Sequence, residues 1–143
     1  MIRVLIVDDH EVVRKGIRTI LMSREDIEVC GEARDGREAV AKATDLAPDL
    51  IILDLTMPVM GGYETALELQ GIMPEVPILF YSIHQGRQVV RQARQIGVQG
   101  FVCKPCDSET LLEAIDALSG SKIDFLQRLD GVTTLHYQKR HTN

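Results

Sequence analysis

Five side chains at separated points of the chain could do chemistry together: Asp8 and Asp9, Asp54, Ser82 and Lys104. Three carboxylates within about 5 Å of one another repel by roughly 3 kcal/mol per pair at an effective dielectric near 20. Convergence therefore requires positive charge. Lys104 supplies one unit, and a hard divalent cation supplies two; Mg²⁺ suits a small oxygen cluster that keeps some of its waters. A carboxylate beside such an ion, an ammonium and a hydroxyl is equipped to attack a phosphoryl donor. In that chemistry Asp54 is the nucleophile, Lys104 and Mg²⁺ spread charge on the transferring oxygens, and Ser82 donates a hydrogen bond to one of them.

The elements that must position these groups are legible as five short apolar, β-branched runs: Ile2 to Val7, Ile27 to Cys30, Leu50 to Leu53, Val76 to Tyr81 and Gln99 to Cys103. Each reads as a strand, and several are continuously hydrophobic, as expected of strands covered on both faces in a parallel sheet. Between them apolar residues recur at helical spacing, for example Val13, Ile17, Ile20 and Leu21, then Leu111, Leu112, Ile115 and Leu118. Asp35 and Asp107 stand where a helix N-cap is needed, and Gly97 where the fourth helix should stop. The pattern predicts (βα)5, an α/β chain with a parallel five-stranded sheet and helices on both faces.

Ligands of open α/β sheets bind at the carboxyl ends of the strands, near the point where strand order reverses. Strand 1 ends in Asp8-Asp9, strand 3 in Asp54, strand 4 in Ser82 and strand 5 in Lys104-Pro105. In the flavodoxin-like doubly wound order 2-1-3-4-5, strands 1 and 3 are neighbours, which brings the three carboxylates together. Strand 2, ending in the plain Gly31-Glu32-Ala33, lies at the edge.

Composition excludes several classes. The 143 residues are 45% hydrophobic and 26% charged, with no stretch approaching the length of a membrane span. Met1 to Val7 lacks the basic flank and long apolar segment of a secretory leader, so a cytoplasmic location is expected. Residues 1–118 carry 12 basic and 19 acidic side chains, a balance of −7, which argues against direct nucleic-acid binding. Residues 119–143 are mildly basic and read as a linker or tail, with room for one short helix near Ile123 to Leu129 and a frayed end from His136. Three cysteines, Cys30, Cys103 and Cys106, are too few for a disulfide scaffold, and reduced thiols are expected.

Over about residues 1 to 118 this ordered set resembles the receiver domains of two-component response regulators. The resemblance is carried by Leu5-Ile6-Val7-Asp8-Asp9-His10, Asp49 to Pro58, Gly61-Gly62, Tyr81-Ser82 and Gly100-Phe101-Val102-Cys103-Lys104-Pro105. It implies that Asp54 accepts a phosphoryl group from a phosphohistidine on a sensor histidine kinase or phosphotransfer protein. It further implies that Asp8, Asp9, Asp54 and the backbone carbonyl of Thr56 arrange Mg²⁺, and that Ser82 and Phe101 form a switch pair. Thr56 and His84 would flank the attacking water and tune dephosphorylation. The altered surface would be the fourth helix and fifth strand, with a homodimer through those elements and the fifth helix. Asp8 to Gly16 most resembles the subfamily that usually carries a helix-turn-helix output domain; residues 119–143 are too few for one, so a stand-alone receiver or a fragment is expected.

The same residues also admit simpler and competing readings. Asp8 and Asp9 could be loop acids or a helix cap, Ser82 a strand terminator and Phe101 a packed aromatic. Cys103-Lys104-Pro105-Cys106 has the spacing of a redox pair, but it lies on the last strand with no tryptophan before it. His10 and His84 read as hydrogen-bonding surface residues rather than ligands. A Mg²⁺-dependent phosphatase working through an aspartyl phosphoenzyme is the rival function. Such enzymes commonly show Asp-x-Asp after the first strand and a cap insertion, whereas Asp8 and Asp9 are adjacent and no insertion is present. Ile83 after Ser82 and Pro105 after Lys104 depart from the subfamily's usual residues.

Overall fold

The computed structural model describes residues 1–57, 59–82, 87–103, 107–119 and 132–134. Strands β1 (Ile2–Val7), β2 (Ile27–Ala33), β3 (Leu50–Leu53), β4 (Ile78–Ser82) and β5 (Gly100–Cys103) alternate with helices α1 (Glu11–Leu21), α2 (Gly36–Leu46), α3 (Gly62–Ile72), α4 (Arg87–Gln95) and α5 (Ser108–Ser119). The five strands are parallel and lie in the order β2-β1-β3-β4-β5. A sixth strand, β6 (Val132–Thr134), adds antiparallel to β5. It falls in the stretch read from sequence as tail; the short helix expected near residues 123–129 and the frayed end from His136 lie outside the described residues.

Both faces of the sheet are buried, which explains the near-continuous hydrophobicity of its strands. Leu5, Val7, Ile51, Leu53, Ile78, Phe80 and Phe101 pack on one side with residues of α2, α3 and α4. Val4, Ile6, Leu50, Ile52, Leu79, Tyr81 and Val102 pack on the other with α1 and α5. Successive residues of one strand thus belong to different cores, and each fully buried aliphatic side chain contributes about 1.5–3 kcal/mol.

The expected helix signals are present. Asp35 caps α2 by accepting from the Glu38 N–H at 2.9 Å, and Asp107 accepts from the Thr110 N–H at 2.8 Å in the first turn of α5. Gly97 has φ 88°, a left-handed conformation that ends the turn after α4 with no Cβ penalty. No helix among the described residues is long and apolar enough to cross a membrane.

Candidate functional site

The parallel ladder between β1 and β3 puts the acidic residues side by side. Val7 pairs with Leu53, and the Asp54 N–H donates to the Val7 carbonyl at 2.9 Å. On the other flank the Asp8 N–H donates to the Ala33 carbonyl of β2 at 3.0 Å. Asp8 and Asp54 therefore leave adjacent strands at the same level. One ligand atom from each of Asp8, Asp9, His10 and Asp54 lies within 4.8 Å of all the others.

Burial sharpens the electrostatics. Asp8 is 1% and Asp54 6% exposed, whereas His10 is largely in solvent. Asp8 Oδ1 accepts from the His10 backbone N–H at 2.9 Å and lies 3.3 Å from His10 Nδ1. That turn aims the imidazole over the acid pair and starts α1, whose N-cap is His10. His10, read from sequence as a surface histidine, thus joins the cluster. Its position directly after the acid pair was the available signal, but periodicity does not reveal a side chain folding back on its own loop.

Asp9 Oδ1 is buried and, among the described residues, has no hydrogen-bond partner. It sits 3.1 Å from His10 Nδ1 without the geometry of a hydrogen bond. An orphaned, buried carboxylate oxygen is costly unless a cation or water meets it. Octahedral Mg²⁺ at about 2.1 Å from its ligands sets neighbouring oxygens about 3 Å apart and opposite ones about 4.2 Å apart. The cluster gathers its ligand atoms within 4.8 Å of one another, and its carboxylate donors are those a hard divalent ion takes. The residues fit the ion.

Further residues hold this rim in place. Arg14 donates from Nη1 to the Asp8 carbonyl at 2.8 Å and from Nε to Glu32 Oε1 at 3.0 Å. Arg18 also pairs with Glu32, and Lys42 donates to the Glu32 carbonyl at 2.6 Å. The β3–α3 turn closes on Gly62, whose N–H donates to the Leu55 carbonyl at 2.9 Å. A Cβ at Gly62 would lie 2.5 Å from the Asp54 carbonyl oxygen and from Leu55 Cα, so this approach requires glycine. Val59 in the same turn has φ 71°, an uncommon conformation for a β-branched residue.

Of the other expected site residues, Ser82 ends β4 in register with Cys103 and is fully buried, and Thr56 is exposed in the turn after Asp54. Phe101 is fully buried, edge-on to Phe80 at 6.2 Å between ring centroids, and Phe80 is edge-on to Tyr63 at 5.6 Å. Lys104 and His84 lie outside the described residues, as do Pro58, Ile83, Pro105 and Cys106. Burial pushes the Cys103 thiol up, away from the thiolate that redox chemistry needs. Cys30 and Cys103 are both free.

Comparison with known proteins agrees with this geometry. The family model of the response regulator receiver domain matches residues 4–116. The response regulator protein VraR of Staphylococcus aureus is 39% identical over 114 residues, covering 80% of this chain and 54% of that protein. The chain thus spans about half the length of this curated relative. A two-component response regulator of the LuxR family from Aurantimonas sp. superposes with a TM-score of 0.80 at 34% identity, covering 83% of this chain and 85% of that one. The CheX-CheY-BeF3-Mg complex of Borrelia burgdorferi matches with a TM-score of 0.79 at 28% identity, covering 84% and 90%.

Proposed function

Because this chain belongs to the response regulator receiver family of two-component systems, we propose that it accepts a phosphoryl group on Asp54 and relays a signal through a changed protein-binding surface. The observation that carries this reading is the approach of the Asp8, Asp9 and Asp54 oxygens to within 4.8 Å of one another at the rim where β1 and β3 end. Bound there, Mg²⁺ would supply positive charge to the transferring phosphoryl oxygens. Asp8, Asp9, Asp54 and the Thr56 carbonyl are the residues that would hold it.

The donor in this reading is a phosphohistidine on a sensor histidine kinase or phosphotransfer protein. A carboxylate oxygen of Asp54 attacks phosphorus in line; the new O–P bond forms as the P–N bond breaks, and the imidazole departs with the electron pair. Lys104 and Ser82 neutralise and hydrogen-bond the oxygens that gain charge. Ser82 and Phe101 carry the change away from the site, Ser82 from the end of β4 and Phe101 from the neighbouring strand. Thr56 and His84 set how quickly water removes the phosphoryl group. The output is regulation of transcription, through a domain or partner outside these residues, in the cytoplasm. This reading is supported by the LuxR-family name of one relative and by the Mg and BeF3 in the name of another. A homodimer through α4, β5 and α5 is part of the same reading.

The deciding experiment is incubation with acetyl phosphate and Mg²⁺, and separately with a phosphorylated histidine kinase, followed by intact mass. One added phosphoryl group per chain, absent in Asp54→Asn, is expected. An unchanged mass with both donors overturns the reading, and steady turnover of a phosphate ester supports a phosphatase instead.

A further inference from the structure

Mg²⁺ takes oxygen ligands, yet among the donors gathered at the acid rim one is a nitrogen, that of His10. His10 is the N-cap residue of α1, a position where Ser, Thr, Asn or Asp usually accepts from a free backbone N–H, and its side chain caps none. The ring instead folds back over the carboxylates, with Nδ1 3.3 Å from Asp8 Oδ1 and 3.1 Å from Asp9 Oδ1.

Those separations are long for a charge-assisted hydrogen bond to a carboxylate, which runs about 2.7–2.9 Å. They match the roughly 3 Å between neighbouring ligands of an octahedral ion held about 2.1 Å from each. Asp9 Oδ1 is buried, and the ring nitrogen beside it does not satisfy it. A single ion shared by Nδ1 and the two oxygens satisfies all three, which no hydrogen bond from one ring nitrogen can do.

The imidazole also selects the kind of ion. Nitrogen is a poor donor to Mg²⁺ and a good one to Co²⁺, Ni²⁺, Cu²⁺ and Zn²⁺, which sit high in the general affinity order for nitrogen and oxygen sites. We propose that His10 Nδ1 is a metal ligand, and that with Asp8, Asp9 and Asp54 it makes this rim a mixed nitrogen and oxygen site for a first-row transition ion, bound more tightly than Mg²⁺. The inference deepens the proposed function and rests on that reading's acid cluster: the transition ion competes with Mg²⁺ for the same carboxylates.

Calorimetric titration of the metal-free, full-length chain with Ni²⁺ and with Mg²⁺ tests this, in the wild type, His10→Gln and Asp54→Asn. The His10 side chain is 67% exposed and caps no helix, so His10→Gln leaves the fold intact. The wild type is expected to bind Ni²⁺ about 100-fold or more tightly than Mg²⁺. His10→Gln should weaken Ni²⁺ by about 10-fold or more and leave Mg²⁺ within about threefold, whereas Asp54→Asn should weaken both ions. Equal losses for the two ions in His10→Gln mean that the ring only shapes the loop, and overturn the ligand. Unchanged Ni²⁺ affinity in either variant overturns it as well, because the ion then binds elsewhere. Neither titration needs phosphate. Asp54 phosphorylation alongside a His10→Gln variant that binds Ni²⁺ normally strikes this inference alone; His10-dependent Ni²⁺ binding by a chain that takes no phosphoryl group strikes the proposed function alone.

Discussion

The guanidinium of Arg14 donates to the backbone carbonyl of Asp8 at 2.8 Å, tying the first turn of α1 to the end of β1. Its Nε is held by Glu32 at the end of β2, so one side chain braces the acid pair against the neighbouring strand. Arg14 touches no carboxylate of the cluster in this arrangement; it fixes the loop from which Asp8 and Asp9 project. Arg14→Ala is expected to weaken Mg²⁺ binding by about 10-fold, the usual effect of losing a residue that orients metal ligands. Calorimetric titration checks this, and an unchanged affinity would remove Arg14 from the positioning of the site.

Like charge at the cluster costs stability that a cation returns. Asp54→Asn removes one of the three carboxylates that would hold the ion. Mg²⁺ is expected to stabilise the wild type by about 2.7 kcal/mol at a hundredfold excess over its dissociation constant, and the variant by less. Urea melts with chelator and with Mg²⁺ measure both; equal stabilisation of the two proteins would show that Asp54 takes no part in holding the ion.

The β3–α3 turn admits no side chain at position 62. Gly62→Ala is expected to lower stability by about 1–3 kcal/mol, because its Cβ must push back the backbone of Asp54 and Leu55. Phosphoryl uptake should slow in the same variant, since the displaced backbone carries Asp54. Val59 in that turn holds a positive φ, and Val59→Asn, whose side chain tolerates this conformation, is expected to stabilise by about 1 kcal/mol. Denaturant midpoints decide both.

Acid should weaken the fold through its helix starts. The Arg34 backbone N–H, with Lys42 adding to it, holds the Glu38 carboxyl below its usual range. Hydrogen bonds from Thr110 do the same for Asp107. A carboxyl whose pKa is lower folded than unfolded binds more protons in the unfolded chain. Its contribution is therefore present above the ordinary carboxylate value of about 4 and is lost as pH falls through the depressed value. Urea midpoints taken downward from neutral pH should fall below about pH 4, and Glu38→Gln together with Asp107→Asn should flatten that decline.

Much of the site was readable because chemistry and periodicity coincide. Asp8-Asp9, Asp54 and Ser82 each end a run whose hydrophobic spacing marks a strand, and parallel strands deliver their carboxyl ends to one rim. His10 was less legible: its approach to Asp8 and Asp9 comes from a local turn, which leaves no periodic trace. Arg14 reads only as a polar position on the face of α1, because its partners are a carbonyl at residue 8 and a carboxylate at residue 32.

By itself the sequence determined the five strand-helix units, the caps at Asp35 and Asp107, and which polar groups stand at strand ends, since each is a local matter of spacing and propensity. The neighbourhood of β1 and β3 follows from the doubly wound order expected of those units; only the tertiary structure decided that Asp54 hydrogen-bonds the residue before Asp8, and that Val132–Thr134 closes the far edge of the sheet. Strand adjacency is settled by which arrangement buries both faces of the whole sheet and pairs its backbone. A three-residue strand has too short a pattern to declare, from its own residues, the partner 30 to 34 positions earlier to which it bonds.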